Sequence, residues 1–185
     1  MGSEALRTYW RHPESDSYFA ADEYPGEGDG MLVELDLEEY LEQIRDHFLA
    51  LPKPVRVVVF GGRDFRDQDM MDAALDDFER DIGFAVLIEG EAQGADLRAK
   101  AWAKKRGIPV EPYPADWDDL SHPDARVRTR RNGTEYDAAA GGRRNQQMID
   151  EGRPDCGIVF PGGSGTADMK DRCELAGIPV FEIGE

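Results

Sequence analysis

Cysteine is almost missing from this 185-residue chain, which holds two, Cys156 and Cys173. Two thiols in apolar segments make no disulfide framework, and they read as buried and reduced. No apolar run reaches the ~18 residues of a membrane-crossing helix. The opening "MGSEALRTYW" has neither the basic nor the apolar segment of an export signal. A cytoplasmic protein without a membrane partner is the expectation. Histidine is scarce too: His12, His47 and His122 are scattered, and no histidine or cysteine pair has metal-ligand spacing, so no metal or other cofactor is expected. Positive charge is the remaining shortage. Lys and Arg total 22 against 39 Asp and Glu, a net charge of −17. Residues 1–50 alone hold 13 acidic and 3 basic residues. Such a surface repels nucleic acid and anionic membranes at long range, and it argues against nucleic acid as a partner.

What is present is an alternation. "VRVVVF" from Val55 is a continuous β-branched run, as in a strand buried on both faces. A helical pattern follows over "DMMDAALDDFERDI", then the strand "FAVLIE", the helix "LRAKAWAKKR" closed by Gly107, and the strand "IPVEPY". "GGRRNQQMIDEG" is the next helix, and "CGIVF" and "IPVFEI" flank the helix "TADMKDRCELAG". Strands alternating with helices predict right-handed crossovers, and hence a doubly wound, mostly parallel α/β sheet with helices on both faces. Residues 1–52 form an acidic βα appendage: a hairpin over "TYWRHPESDSYFAA", a short strand "MLVEL", and a helix from Asp36 stopped by "LPKP". The main domain spans 53–185. Within it, at about 121–140, Asn132-Gly133 between "RVRTRR" and "TEYDA" predicts an inserted β-hairpin.

Glycines gather where the strands end. Gly61 and Gly62 follow the first strand of the main domain and Gly90 and Gly94 the second. Pro161, Gly162, Gly163 and Gly165 follow the fourth. Ligands of an open parallel sheet bind beyond those carboxyl ends, where helix N-termini offer free N–H groups and partial positive charge to an anion. Ser164 and Thr166 add hydroxyls, and Thr166 reads as an N-cap. Neither GxxxxGK[ST] nor GxGxxG occurs, so a conventional triphosphate or dinucleotide loop is excluded.

The motifs "GGRDF", "GEAQGAD", "YPADWD", "RNQQM" and "FPGGSGTADM", in that order over about residues 55–183, resemble the YspA-like branch of the SLOG superfamily. That superfamily of Rossmann-like proteins includes the DNA-processing protein Smf/DprA and the LOG cytokinin-activating phosphoribohydrolases. The resemblance implies a homodimer that binds a small-molecule nucleotide derivative, such as a nucleoside monophosphate, ADP-ribose or a signalling nucleotide. It would act as a sensor or sequestering protein or a weak processing enzyme. The alternatives are an active phosphoribohydrolase-like nucleotide hydrolase and, against the net charge, single-stranded DNA binding. Against the phosphoribohydrolase pattern, Arg144 takes the arginine's place and Pro161, Gly162, Gly163, Gly165 and Thr166 match the loop. The pattern's glutamate falls on Met169, which can neither accept a proton nor stabilise an oxocarbenium ion. Asp168 is one residue away, about 100° around a helix.

Catalytic candidates are therefore Asp168, Arg144 and Asp96. Arg144 is a charge-matched partner for phosphate, and Asn145 can bond a base or ribose edge. Arg63 and Asp64 are read either as phosphate and ribose ligands or as an internal ion pair. Asp96 either meets ribose or caps its helix. Trp117 either stacks on a base or anchors its loop. Arg126, Arg128, Arg130 and Arg131 crowd the hairpin, as added positive potential over the site or as a solvated arm.

Overall fold

The computed structural model describes residues 54–184 and the backbone of three strands before them: β1 (Thr8–His12), β2 (Ser17–Ala21) and β3 (Val33–Leu35). The helix expected from Asp36, and the boundary at 52, lie outside the described residues. The β-branched run becomes β4 (Val55–Phe60), followed by α1 (Gln68–Ile82), β5 (Phe84–Glu89), α2 (Ala95–Arg106) and β6 (Val110–Pro112). After β7 (Val127–Thr129) and β8 (Glu135–Asp137) come α3 (Ala140–Asp150), β9 (Cys156–Val159), α4 (Ser164–Leu175) and β10 (Val180–Glu182).

The eight-stranded sheet has the order β3-β1-β2-β10-β9-β4-β5-β6, and its five strands β10-β9-β4-β5-β6 are all parallel. The N-terminal hairpin pairs antiparallel within itself, and β2 lies parallel to β10 with Tyr18 opposite Phe181. The hairpin therefore continues the sheet.

Period-two alternation sorts β4 between two cores. Val57 and Val59 pack with Met71 and Leu75 of α1 and Trp102 of α2. Val58 and Phe60 pack with Met148 of α3 and Met169 and Cys173 of α4. Each fully buried side chain of this size contributes about 1.5–3 kcal/mol, which is why a strand with no polar face is stable only here. Local signals set the helix ends. The Asp67 carboxylate accepts from the Met70 N–H at 2.8 Å to start α1, and Gly107, left-handed at φ 71°, closes α2. α4 starts two residues earlier than its pattern suggests, with Gly163 rather than Thr166 as N-cap and no side-chain cap. The first N–H groups of a helix have no acceptor within it, so small residues can begin one there.

Two consequences position the site. From β4 the chain runs outward through β5 and β6, then returns on the other side of β4 at β9 and β10. The loops leaving β4 and β9 thus diverge from neighbouring strands, the topological switch point at which such sheets hold ligands. The inserted hairpin forms its own two-stranded sheet, Val127 opposite Asp137. Its turn is closed by Arg130 N–H to the Thr134 carbonyl at 2.8 Å, with Gly133 at φ 85°. Among the described residues no helix is long and apolar enough to cross a membrane. Cys156 and Cys173 are free and buried, and burial pushes the Cys173 thiol up to about 12.

Candidate functional site

The loops after β4 and β9, the start of α2, Trp117, the hairpin base and the start of α3 enclose a cleft of about 750 Å³. The glycines of these loops fall into two groups. A Cβ on Gly94, which has φ 86°, would overlap the Gly62 carbonyl, and one on Gly162 would overlap the Thr166 hydroxyl. These glycines let the loops touch each other, and the Gly62 N–H closes the contact on the Pro161 carbonyl at 2.9 Å. Gly163 and Gly165 differ, because nothing lies within 4 Å of where a Cβ would be. They open onto the cleft. Among the described residues the N–H groups of Gly163, Ser164 and Gly165 have no protein acceptor, at the end of α4 that favours negative charge.

Five arginines line the cleft, and three are matched. Arg144, 11% exposed, donates to the Gly90 carbonyl and lies 3.5 Å from the Asp96 carboxylate, which is 5% exposed. Asp96 also accepts from the Gly90 and Ala92 N–H groups. Burial outweighs these partners and raises its pKa to about 6. Arg172 grips Asp168 with both ends of its fork, at 2.9 and 3.0 Å, while the Asn145 amide donates to the same carboxylate at 2.8 Å. Partial burial pushes the Asp168 pKa up, but these bonds prevail and hold it below the usual carboxylate range. Arg143 pairs with Asp137 at the hairpin base, yet its buried Nη1 has no acceptor among the described residues. Asp137 also accepts from the Arg126 and Ala139 N–H groups at 2.6 and 2.9 Å, and so ties the hairpin to α3. Its burial is overcome by those bonds, which lower its pKa to about 2. Arg63 and Arg126 remain without a carboxylate among the described residues. The Arg63 guanidinium rests 5.2 Å over the Trp117 ring.

The structure thus brings Gly61, Gly62, Arg63, Asp64, Asp96, Trp117, Arg144, Asn145, Gly163, Ser164, Gly165, Thr166 and Asp168 to one cleft. Gly90, Gly94, Pro161 and Gly162 do not line it; they shape the loops around it. Asp64 is fully exposed and 3.8 Å from Arg66, so the pairing of Arg63 with Asp64 considered from the sequence is not formed. Trp117 is half-buried, one edge packed on Gly141. Asn145 is enclosed and joins Arg144 to Asp168. Met169 is 1% exposed among apolar side chains at the cleft floor, so a glutamate there would bury its charge. Sequence reasoning passed over Arg172, although its spacing from Asp168 is that of a helical i,i+4 pair. Arg143 carried no such signal, because Asp137 lies at the end of β8 rather than in α3, outside any helical spacing. No group of three or more His, Cys, Asp or Glu among the described residues is placed to hold a metal.

Comparison with known proteins gives the family. A model of the YspA, cpYpsA-related SLOG family matches residues 55–119. The Gene 61 protein of Mycobacterium phage D29 is 30% identical over 138 residues, covering 70% of this chain and 97% of the phage protein. The chain belongs to this SLOG family. The segment matched by the SLOG model supplies the β4 and β5 loops, the start of α2 and Trp117, while α3 and the α4 loop complete the cleft from beyond it.

Proposed function

We propose that the cleft binds a nucleotide or nucleotide-derived ligand, with a phosphate against the open end of α4, and that the protein acts chiefly as a sensor or sequestering protein. One observation carries this reading: among the described residues, three unbonded N–H groups at Gly163–Gly165 share a cleft with two unmatched guanidiniums, Arg63 and Arg126. That is a positive site on a chain of net charge −17. Turnover is slow in this reading. Asp168 is held by Arg172 and Asn145, and an apolar side chain stands where the phosphoribohydrolase pattern has its glutamate. The N–H groups and arginines would bind substrate and transition state alike, which does not accelerate cleavage.

Thermal-shift titration with AMP, ADP-ribose, NAD and cyclic ADP-ribose tests the proposal. At least one should raise the melting temperature in proportion to saturation. If all four leave it unmoved at millimolar concentration, the reading is wrong.

A second reading, slow glycosidic cleavage, has one observation in its favour. The cleft holds two carboxylates whose environments push them apart, Asp96 up to about 6 and Asp168 below its usual range. Such a pair can divide proton donation from charge stabilisation.

A further inference from the structure

The main cleft does not end at Trp117. A side chamber of about 440 Å³ adjoins it and shares Arg63, Ala92, Trp117 and Arg144 with it. Its other walls are the loop after β5, including Gln93, and Pro114 and Ala115 after β6. The main cleft alone lies within the ~300–1,000 Å³ that holds one drug-sized ligand, and the two chambers together exceed that range.

The two guanidiniums at this boundary are held very differently. Arg144 is fixed by the Gly90 carbonyl and Asp96. Arg63 is exposed and rests on the Trp117 ring, a weak contact where the cation stays solvated. A ligand can displace it at little cost. Beyond those two arginines the chamber's one charged wall residue is Glu91, which Lys100 neutralises; the rest is backbone, the Trp117 ring, the Gln93 amide, Pro114 and Ala115. Cations at the threshold and neutral walls beyond suit a negatively charged linker followed by an uncharged group.

We infer that the site takes a two-headed ligand. One nucleotide unit occupies the main cleft, a second sugar or nucleoside unit the side chamber, and a phosphate or diphosphate linker passes Arg63 and Arg144. This rests on the nucleotide reading of the main cleft, and specifies the ligand class as larger than a mononucleotide.

Calorimetric titration with ADP-ribose and with AMP tests it on the full chain. The wild type should bind ADP-ribose about tenfold or more tighter than AMP. Ala115→Trp, which fills the side chamber, should remove that advantage and leave AMP affinity within about twofold. Gln93→Trp obstructs the chamber from its exposed wall and should do the same, so the test survives if Ala115→Trp fails to fold. AMP binding with no preference for ADP-ribose, and no effect of either substitution, would overturn the two-headed ligand while leaving the nucleotide site standing. If neither compound binds, the nucleotide site itself fails.

Discussion

Gly165→Asp separates the stability of α4 from its anion-binding role. A Cβ at Gly165 meets nothing within 4 Å, and its φ is not positive, so a side chain enters without strain. At the second position of α4, aspartate replaces a poor helix former and complements the helix dipole, a gain of about 1 kcal/mol in all. For a chain of this length that raises the ligand-free melting temperature by about 2–4 °C. Binding should move the other way. The new carboxylate points into the space assigned to phosphate. Two unit charges about 5 Å apart at an effective dielectric of about 20 repel by about 3 kcal/mol, and an open cleft screens about half of that away, leaving roughly tenfold to a hundredfold weaker binding. Gly165→Asn, close in size and uncharged, is the control and should lose much less. Melting curves and calorimetric titration with AMP or ADP-ribose read both effects. Equal losses in Gly165→Asp and Gly165→Asn would make the effect steric, and an unchanged affinity for Gly165→Asp would refute a phosphate at α4.

Arg144→Ala leaves Asp96 buried without its cation and should cost about 3 kcal/mol in urea unfolding, with part recovered when Asp96→Asn is added. Asp96 also makes stability depend on pH. Its folded pKa of about 6 lies above the ordinary value, so its contribution is full below about pH 4 and is lost as pH rises through 6. Wild type should therefore lose up to about 3 kcal/mol relative to Asp96→Asn between about pH 4 and 7, and a pH-independent difference would refute the assignment. Arg126→Gln should weaken nucleotide binding severalfold and flatten its salt dependence, while Arg131→Gln at the exposed hairpin tip changes neither. Adenine release from AMP, followed by chromatography, should be slow or absent; fast release lost in Asp168→Asn would make Asp168 a working carboxylate.

Much of the fold was written in local pattern. β4 and β5 coincide with the runs "VRVVVF" and "FAVLIE", because a strand buried on both faces must be apolar at nearly every position and tolerates few other readings. Gly107 ended α2 and Gly133 marked the hairpin turn, since left-handed backbone geometry selects glycine locally. The gathering of glycines at one sheet edge also followed from the alternation alone.

What each glycine is for did not. Gly94 and Gly162 face neighbouring backbone and side chain, whereas Gly163 and Gly165 face open cleft, and only the packing of three distant loops distinguishes them. Charge pairing between distant segments was equally out of reach. Arg144 of α3 meets Asp96 of α2, far away in the chain, so whether that arginine stays free for an anion was settled by tertiary contact. Sequence determines where a backbone can turn and which face of an element is apolar, because those are properties of a few adjacent residues. Which charges neutralise one another depends on distances of a few ångströms between segments far apart in the chain, and only the folded sheet fixes those.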